Sequence, residues 1–561
     1  MPSELDRAFN SIMDALTAPG APLETEMLAR GNHAVPVLKN APVTLRDFFA
    51  HYCAQHGDLP FLVDGDLRLS FAEVHALAEQ VAEGLLTRHA IRKGDRVGIA
   101  ARNSANWIIA YMGVIIAGGC ATLINAWGVA DEMVAATRMV DCRLLIADSP
   151  RAARLQGSAI GCPLVVMGHG DPLSGLAGLL GETGTAGLAL PPLAPYDLAT
   201  VVFTSGSTGV SKGACSDHRA VVHAALSYAA QSLMMLAYLQ SRGEASPLQP
   251  CALVNVPLFH VTGEVPLFLQ SFALGRKLVN MPKWDALEAM RLIEAEKVTY
   301  FVGVPLMSHE IATHPERARF DLSSCTVMTG GGAPRPVDHV RRIREALPTS
   351  YPVLGYGLTE TNAVGCANFN ENYLARPEST GPASRPLVEL AIIDDHGAHL
   401  LAGSVGEICF RTVCNFSGFW NNPEATAQAF TADGFVRTGD LGHVDADGYL
   451  TIVDRKKDII LRGGENISCL EVEQAIYAHP GIAEACVFGL PDPHFGEVPG
   501  AVYLVRPGQA IDADGLRAFL AEHIAPFKMP ARMWQVDAPL PRLGTEKVDR
   551  RAIKARYSAA T

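Results

Sequence analysis

The chain has 561 residues, of which 48% are hydrophobic and 19% charged, and its formal net charge is −12. This length is too great for one ordinary hydrophobic core, so we expect a large compound domain and a smaller one. The negative net charge, which is spread along the chain, and the lack of a run of basic residues argue against a nucleic-acid partner.

The cysteines and the N-terminus favour a cytoplasmic location. No two of the twelve cysteines form a CxxC pair, and the closest two, Cys409 and Cys414, have no metal-ligating residues beside them. The first residues lack the apolar segment of a secretory signal. We therefore expect reduced core cysteines.

Residues 1 to about 45 carry little pattern beyond one possible helix, and helix and strand patterns alternate from the predicted strand Val97–Ala100 onward. A helix is predicted over Leu5–Leu16, and Ser70 with Glu73 forms a capping box that opens another. Residues 106–130 carry no charge, but the glycines after Ala117 divide them into a short helix and a short strand. We therefore expect a buried layer without a membrane span, with peripheral membrane contact left open.

A loop rich in glycine and hydroxyl residues follows the β-branched run Ala199–Phe203. Its sequence is Thr204-Ser205-Gly206-Ser207-Thr208-Gly209-Val210-Ser211-Lys212-Gly213. An amphipathic run from Asp217 to about Leu239 comes next, so we predict strand, turn and helix.

The composition of this loop suits a phosphate site. Glycines let the backbone approach an anion, hydroxyls and amides donate hydrogen bonds, and Lys212 adds a positive charge. The loop is not a Walker sequence, because Ser211 stands where the second glycine belongs and Gly213 where a Mg²⁺-binding Ser or Thr belongs.

Helix and strand patterns continue to alternate through the large domain, which predicts an α/β fold of mainly parallel, helix-covered sheets. The predicted strands are Leu144–Ala147, Leu164–Met167, Leu253–Val256, Thr299–Val302 and Cys325–Thr329, with helices at Asp285–Glu296 and Pro336–Ala346. Short strand-like runs after about Gly381 predict a β-rich lobe. Past the charged turn at 454–458, a tail of about a hundred residues has its own α+β alternation and is predicted to be a second domain.

Further stretches carry residues of functional type, namely Val256–Gly263, Thr329–Pro334, Tyr356–Thr361, Thr438–Asp440, Gly463–Asn466 and Pro541–Arg550. Three glycines after a strand permit close approach of a flat ligand. The stretch around Glu360 offers an aromatic ring for a base, a hydroxyl for a phosphate and a carboxylate for Mg²⁺.

In order and spacing, these stretches resemble the motifs of the adenylate-forming superfamily, which includes acyl-CoA synthetases, nonribosomal-peptide adenylation domains and firefly luciferase. The resemblance runs from about Asp47 to Arg550 and is strongest to fatty-acyl-CoA ligases. It implies ATP, Mg²⁺ and coenzyme A as co-substrates and a carboxylic acid as substrate. It is compatible with a homodimer.

The resemblance also implies a role for individual residues. ATP and AMP would contact Thr204, Ser205, Gly206, Ser207, Thr208, Gly209, Lys212, Gly331, Gly332, Ala333, Pro334, Tyr356, Gly357, Thr359, Asp440 and Arg455. The acyl pocket would include Phe259, His260, Val261, Gly263, Gly355 and Ala363, and the CoA path Gly463, Gly464 and Glu465. The catalytic residues would be Lys547, Thr204, Glu360 and Lys212, with Glu360 holding Mg²⁺.

The implied domain division places residues 1–454 in the N-terminal domain, with the β-rich lobe at about 381–454. Residues 455–458 would form a hinge that pivots at Lys457, and residues 459–561 a mobile C-terminal domain.

One residue departs from the family pattern. Glu546 stands where the family usually has a glycine before the catalytic lysine, and it could restrict the loop or pair with Lys547. This leaves three hypotheses: an acid–CoA ligase, an adenylating enzyme with another acceptor (carrier-protein loading or β-lactone formation), or a catalytically weak nucleotide-binding relative.

The residues of the predicted acyl pocket are small or apolar. Near them the sequence shows no Lys or Arg for a second carboxylate and no Asp for an amine. We therefore expect an apolar monocarboxylic acid, with medium- or long-chain fatty acids ahead of aryl acids.

Overall fold

The structure is a computed structural model that describes residues 3–204, 211–332, 335–543 and 547–558. The strands are β1 Thr25–Arg30, β2 His33–Leu38, β3 Pro60–Asp64, β4 Leu67–Ser70, β5 Arg96–Ala100, β6 Cys120–Leu123, β7 Leu144–Asp148, β8 Leu164–Met167, β9 Leu198–Phe203, β10 Gly213–Asp217, β11 Cys251–Val254, β12 Lys277–Asn280, β13 Tyr300–Gly303, β14 Val327–Gly331, β15 Tyr351–Gly357, β16 Gly365–Phe369, β17 Ser379–Gly381, β18 Val388–Ile393, β19 Gly406–Thr412, β20 Gly418–Phe419, β21 Val436–Val444, β22 Leu450–Arg455, β23 Ile460–Arg462, β24 Glu465–Ile467, β25 Ile482–Asp492, β26 Gly496–Val505 and β27 Arg532–Val536.

The α-helices are α1 Glu4–Thr17, α2 Leu45–His56, α3 Phe71–Thr87, α4 Ala105–Ala117, α5 Ala130–Met139, α6 Ser149–Arg154, α7 Pro172–Gly175, α8 His218–Ser241, α9 Val261–Gly263, α10 Gln270–Ala273, α11 Ala286–Glu296, α12 Pro305–Thr313, α13 Val337–Ala346, α14 Asn370–Ala375, α15 Pro423–Ala429, α16 Cys469–Tyr477, α17 Ala513–Ala521 and α18 Arg550–Ser558. A π-helical turn, Glu264–Leu269, joins α9 to α10, and short 3₁₀ turns lie at Arg317–Arg319, Thr359–Thr361 and Pro526–Lys528.

Two large sheets carry most of the predicted parallel strands. One has the order β20-β10-β9-β6-β5-β7-β8, and the other β16-β15-β14-β13-β11-β12-β3-β4. The inner strands of both are parallel, and antiparallel strands stand at the edges. The α/β prediction with mainly parallel sheets is confirmed.

The β-rich lobe and the tail also form as predicted. An antiparallel sheet of order β17-β22-β21-β19-β18 spans the lobe. The tail has its own sheet, β24-β23-β26-β25, to which β27 adds beside β26. Two separate apolar clusters, one around Ile476 and Leu516 and the other around Phe488 and Ile553, form the core of this tail. The hinge at 455–458 stays a prediction.

The predicted strand, turn and helix around the phosphate-type loop is wrong in one respect. The loop returns into β10, which pairs antiparallel with β9, and only then does α8 begin. The residues of β10 are small, so they show no alternation of large apolar side chains that would mark a strand. Asp217 then caps α8 by accepting a hydrogen bond from the Ala220 N–H at 2.8 Å.

Other differences are small. The hairpin β1–β2 lies in a region where no strand pattern was visible in the sequence. The strands predicted at Leu253–Val256 and Cys325–Thr329 lie two residues earlier and two residues later, as β11 and β14.

The uncharged stretch at 106–130 forms α4 and β6, both buried, as expected for a layer of the core. Among the described residues, α8 is the one helix long and apolar enough to cross a membrane. However, 67% of its most apolar window is buried inside the fold. A core helix explains this pattern.

Candidate active site

The base of the phosphate-type loop is closed by backbone pairing. The Thr204 N–H donates to the Lys212 carbonyl at 2.9 Å, and the Ser211 hydroxyl donates to the Thr204 carbonyl at 2.5 Å. The Lys212 ammonium lies 4.9 Å from the centre of the Phe419 ring on β20. Ser205, Gly206, Ser207, Thr208 and Gly209 lie outside the described residues. The hairpin therefore fixes both ends of the predicted phosphate loop.

The turn that carries Glu360 is held by buried hydrogen bonds from three elements. Asn362, at φ +50°, donates from its side chain to the Ser216 hydroxyl at 3.0 Å and to the Cys414 carbonyl at 2.8 Å. The next residue, Ala363, has φ +66°, and its carbonyl accepts from the Tyr228 hydroxyl at 2.5 Å. These contacts hold Asn362 and Ala363 in the left-handed backbone conformation, which residues other than glycine disfavour.

The carboxyl of Glu360 has a raised pKa because it is largely buried, while the positive charges of Arg455 and Lys212 act in the opposite direction. A desolvated carboxylate close to a phosphate-type loop suits Mg²⁺, which binds through one or two carboxylates and substrate phosphates. No group of three metal-ligating side chains exists within the described part of the chain, so a cage made by protein alone is absent there.

Tyr356, Asp440 and Arg455, three residues of the predicted nucleotide site, lie together in the structure. The Tyr356 hydroxyl donates to Asp440 Oδ2 at 2.6 Å, and Arg455 Nε lies 3.4 Å from Asp440 Oδ1. Asp440 and Arg455 are cross-strand partners on β21 and β22. Burial raises the pKa of Asp440, and the positive charge of Arg455 opposes this rise.

Lys547 reaches this cluster from the tail. A methyl group in place of the Gly332 hydrogen would lie 3.4 Å from Lys547 Cε and 3.8 Å from its Nζ. Burial lowers the pKa of Lys547 to about 8, the charge of Arg455 adds to this shift, and Asp440 opposes it. Burial lowers the pKa of His260 to about 3, and the positive charge of Lys547 adds to this shift.

The loop before Lys547 is anchored at its base. The Leu543 N–H donates to the Lys547 carbonyl at 2.8 Å, and Arg542 pairs with Glu484 at 2.7 Å. Glu546 lies outside the described residues, as do Ala333 and Pro334.

Four of the predicted acyl-pocket residues, Phe259, His260, Val261 and Gly263, lie in or directly before α9. Phe259 is buried with its ring edge-on to Trp127, and the His260 ring accepts from the Thr262 N–H at 3.3 Å. Val261 is buried, and a side chain at Gly263 would lie 2.2 Å from the Pro257 carbonyl.

Glycines of β14 and β15 complete the floor of the site. Gly331 pairs with Gly355, so two residues without side chains lie next to each other. Gly357 lies against the Ala363 carbonyl, where a side chain would approach to 2.0 Å. Thr359 begins the turn that carries Glu360.

The predicted CoA-path residues stand apart from this cluster. Gly463 and Gly464, at φ +57° and +94°, form the tight turn between β23 and β24, and Glu465 begins β24. No contact among the described residues joins them to Lys547 or Asp440. Lys457 lies in the turn after β22.

Sequence reasoning missed two residues that shape the site. Phe419, on the two-residue edge strand β20, contacts the Lys212 ammonium through its ring, and Tyr228 supports the Glu360 turn. No motif pointed to either residue. Thr262 and Asn362 stand among the positions expected around the acyl pocket; the Thr262 hydroxyl would lie 3.9 Å from a methyl group on Gly332, and Asn362 supports the Glu360 turn.

Comparison with known proteins identifies the family. The sequence matches the AMP-binding enzyme family over residues 49–420 and the AMP-binding enzyme C-terminal domain over residues 471–547. It is 30% identical to a 3-[(3aS,4S,7aS)-7a-methyl-1,5-dioxo-octahydro-1H-inden-4-yl]propanoyl:CoA ligase of Rhodococcus jostii (strain RHA1), over 91% of this chain and 98% of that protein. It is also 30% identical to a long-chain-fatty-acid–CoA ligase of Bacillus subtilis (strain 168), over 91% and 94%.

A solved structure has the same fold. ATP-bound MatB from Rhodopseudomonas palustris superposes with a TM-score of 0.80 at 26% identity, over 92% of this chain and 99% of that one. The large and small domains predicted from the sequence are therefore those of adenylate-forming enzymes. The chain belongs to the AMP-binding enzyme family, among the adenylate-forming acid–CoA ligases.

Proposed function

We propose that this protein is an ATP-dependent acid–CoA ligase that acts through an acyl-adenylate. The observation that carries the proposal is the position of Lys547, which extends from the tail to Gly332 and joins the charged cluster of Asp440 and Arg455. A lysine placed there can neutralise two anions that must meet, the carboxylate of the acid and the α-phosphate of ATP.

In the first half-reaction, a carboxylate oxygen of the acid attacks the α-phosphorus. The bond from that phosphorus to the bridging oxygen breaks, and pyrophosphate leaves with the electron pair. Lys547 would stabilise the charge that develops at the α-phosphate, and Lys212 with Thr204 and the loop of residues 205–209 would hold the β- and γ-phosphates.

Asp440 would accept hydrogen bonds from the ribose, with Arg455 and the Tyr356 hydroxyl keeping its carboxylate in place. Tyr356, Gly331, Gly332, Ala333 and Pro334 would line the adenine.

Glu360 is the residue that would hold Mg²⁺. When bound, Mg²⁺ would offset negative charge on the phosphates and lower the repulsion between the two reacting anions. Burial raises the pKa of this carboxyl although Arg455 and Lys212 oppose the shift, so its negative charge is only partly compensated, and a divalent cation would add compensation.

In the second half-reaction, the sulfur of coenzyme A attacks the acyl carbon and the thiol proton passes to solvent. The bond from that carbon to the AMP oxygen breaks, and AMP leaves with the electron pair. Gly463, Gly464 and Glu465 lie at the turn between β23 and β24 of the tail. A rotation of the tail about Lys457 would withdraw Lys547 and bring this turn toward the thiol's path.

The substrate we propose is a largely apolar acid, with medium- or long-chain fatty acids ahead of ring-bearing acids. The small and apolar residues around Phe259, Val261, Gly263 and Ala363 support this class. The Bacillus subtilis relative acts on long-chain fatty acids by name, and the Rhodococcus jostii relative on a ring-bearing propanoate.

The test is a panel of acids, namely acetate, octanoate, palmitate, benzoate and cinnamate. Each is assayed for pyrophosphate and AMP release with ATP and Mg²⁺, with and without coenzyme A. CoA-dependent AMP release with an apolar acid supports the proposal. A clear preference for acetate or for an amino acid contradicts the substrate class.

The same panel separates the alternatives. Pyrophosphate release that coenzyme A does not accelerate would indicate another acceptor, such as a carrier protein, or ring closure to a β-lactone. Nucleotide binding without release of pyrophosphate from any acid would indicate a catalytically weak relative.

A further inference from the structure

Arg276 is a buried cation without an acidic partner. Only 3% of the residue is exposed, and within the described part of the chain no carboxylate pairs with it. Its guanidinium donates to Gln270 Oε1 at 3.2 Å and lies 4.3 Å from the centre of the Tyr300 ring. Its Nε has no hydrogen-bond partner.

Two other cations, one adjacent and one equally buried, are paired with carboxylates, whereas the buried Arg335 bonds, among the described residues, to the Val353 carbonyl and the Ser308 hydroxyl. Lys277, the next residue, bonds to Glu296 at 2.9 Å, and Arg151, which is also 3% exposed, pairs with Asp148 at 3.2 Å. A buried charge is costly unless an opposite charge or several hydrogen bonds compensate it. The Arg276 site is therefore incomplete as the protein alone builds it.

A series of contacts links Arg276 to the predicted acyl pocket. Gln270, which accepts from Arg276, donates to the Tyr228 carbonyl at 2.9 Å and to the Ser232 hydroxyl at 2.6 Å. The Tyr228 hydroxyl in turn donates to the carbonyl of Ala363, one of the predicted pocket residues. Gln270 also follows directly on the π-helical turn that begins at the end of α9.

The position of Arg276 along the sheet places it far from the nucleotide residues. It precedes β12 and contacts Tyr300, the first residue of β13, whereas Gly331 ends the neighbouring β14. The four residues of β13 rise about 10 Å from one end to the other. An acid activated near Gly332 would have to extend along this height to bring its far end to Arg276.

We propose that Arg276 determines substrate specificity by binding an oxygen acceptor, a keto or carboxylate oxygen, at the far end of an otherwise apolar acid. This inference rests on the proposed CoA-ligase function and names a feature of its substrate. It departs from the expectation from the sequence that no arginine serves the acyl pocket, because Arg276 lies outside the motifs from which that expectation was drawn.

The chemistry favours an oxygen over a methyl terminus. A guanidinium has five donors in a fixed fork, and here one is used by Gln270 and Nε is unused. An acid that ends in a methyl group would leave those donors unpaired, and sites built around buried polar groups reject such analogues strongly. A keto oxygen would fill the site by hydrogen bonding, and a carboxylate would also neutralise the charge.

The experiment compares acids matched in length. Three series are used: hexanoate, octanoate and decanoate; the methyl ketones 5-oxohexanoate, 7-oxooctanoate and 9-oxodecanoate; and the dicarboxylates adipate, suberate and sebacate. For each, kcat/KM is measured as CoA-dependent AMP release. In parallel, binding of the corresponding non-reactive acyl-sulfamoyl adenosines is measured by calorimetry. The wild-type protein is expected to prefer an oxygen-bearing acid over the plain acid of the same length by about tenfold or more.

Variants assign that preference to Arg276. Arg276→Met should remove it, mainly through KM, and Arg276→Lys should retain part of it because the charge remains but the fork is lost. Lys277→Met is the matched control, since it removes the adjacent charge, which is paired with Glu296, and should leave the preference unchanged. A preference for the methyl ketones would show that Arg276 binds a keto oxygen, and a preference for the dicarboxylates would show that it binds a carboxylate.

Four results would overturn the proposal. One is a wild-type preference for the plain acid at every length, a result that does not depend on the folding of any variant. Another is an equal loss with all acids in a folded Arg276→Met protein, which would show a structural role only. If none of the adenylate analogues binds, the proposed ligase function fails and this inference fails with it; if the analogues bind without discrimination, only this inference fails.

Discussion

Lys547 has an unusual environment for a lysine that must meet anions. Burial lowers its pKa to about 8, and the nearby charge of Arg455 adds to this shift. Free protein above pH 8 therefore holds Lys547 largely in its neutral form. Bound ATP would restore the ordinary preference for the charged form, because an adjacent anion raises the pKa of an ammonium group.

The first prediction is therefore proton uptake on ATP binding. Between about pH 8 and 9, MgATP binding should take up part of a proton, and at pH 6.5 this contribution should vanish because Lys547 is already protonated. Calorimetry in two buffers with different ionisation enthalpies measures the uptake. Lys547→Met should abolish it, and uptake that persists in this variant would assign the proton to another group.

The two half-reactions should depend differently on Lys547. Lys547→Ala should lower adenylate formation by about a hundredfold or more, while thioester formation from a supplied acyl-adenylate is retained, because only the first step brings two anions together. Pyrophosphate release and CoA-dependent AMP release measure the two steps. Lys554→Ala, a change at an exposed position of α18, is the control, and an equal loss in both steps would refute the assigned role.

At the level of single residues, sequence motifs indicated which side chains to examine but not which ones touch. Tyr356 and Asp440 were predicted from different motifs, and the structure joins them by a 2.6 Å hydrogen bond. Arg276 belongs to no motif, and the residues around it, Gln270 and Tyr300, come from two separate elements. Sequence spacing cannot show that a charge lacks a partner, because the partners come from distant segments.

The π-helical turn after α9 holds an ionisable pair inside the core. Glu264 is fully buried and accepts from the Tyr111 hydroxyl at 2.7 Å, and its second oxygen has no partner. Burial raises the pKa of Glu264 from 4.5 to about 7, while the bond from Tyr111 acts to lower it. The folded protein therefore binds this proton more tightly than the unfolded chain does.

The sign of this shift predicts how stability changes with pH. The contribution of protonated Glu264 to the free energy of unfolding is fully present below about pH 4.5 and is lost as the pH rises through about 7. Glu264→Gln lacks this ionisation, so the melting temperature of wild type should fall relative to the variant between pH 5 and 8, by an amount equivalent to at most about 3 kcal/mol. Calorimetric melting curves check this.

Tyr111→Phe provides a companion test. It removes the hydrogen bond that lowers the pKa of Glu264, so the loss of stability should shift to higher pH. A constant difference between wild type and Glu264→Gln at all pH values would show that Glu264 does not ionise in this range.

The turn after β22 is the element on which the second half-reaction should depend. Asp454, in β22, accepts hydrogen bonds from the Ser468 hydroxyl and the Leu470 N–H of the tail, so a rotation about Lys457 would have to break both bonds. Lys457→Pro should retain adenylate formation and block thioester formation, because proline fixes φ where the chain must rotate. The same half-reaction assays apply, with Lys457→Ala as control. Thioester formation at the wild-type rate in Lys457→Pro would exclude rotation at this residue.

Elements with strong hydrophobic patterns were predictable, and elements made of small or polar residues were not. The capping box of Ser70 and Glu73 and the apolar α4 appear as expected, since local hydrogen bonds and burial both favour them. The strand β10 consists of small residues and exists because β9 and β20 pair with it on either side. Pairing of this kind depends on distant chain segments and leaves no local pattern.

At the scale of the whole molecule, the tail packs as a separate unit that nonetheless contacts the large domain. The tail's two apolar clusters are distinct from the large core, which explains why its own α+β alternation was visible in the sequence. Contact between the two parts occurs at Gly332 with Lys547 and where the His339 ring lies 6.3 Å from the ring of Tyr477. The arrangement of the parts could not be predicted, because the residues that form these contacts lie far apart in the sequence.

A groove of about 490 Å³ lies between α13 of the large domain and α16 of the tail. A cross-link across this groove would hold the tail in its present position relative to the large domain. Val337 and Ala478 line opposite walls and are both exposed, so cysteines at these positions can be joined by a short reducible cross-linker. The native cysteines are buried except Cys162, which is partly buried and is replaced by serine.

The cross-linked Val337→Cys, Ala478→Cys protein should form adenylate, because Lys547 stays beside Gly332. It should fail to transfer the acyl group to coenzyme A, because the tail cannot move, and reduction of the linker should restore transfer. Single-turnover assays before and after reduction measure both steps, with each single-cysteine variant treated identically as control. If transfer proceeds at the unlinked rate while the linker is intact, both half-reactions occur in the arrangement seen here, and a moving tail is not needed.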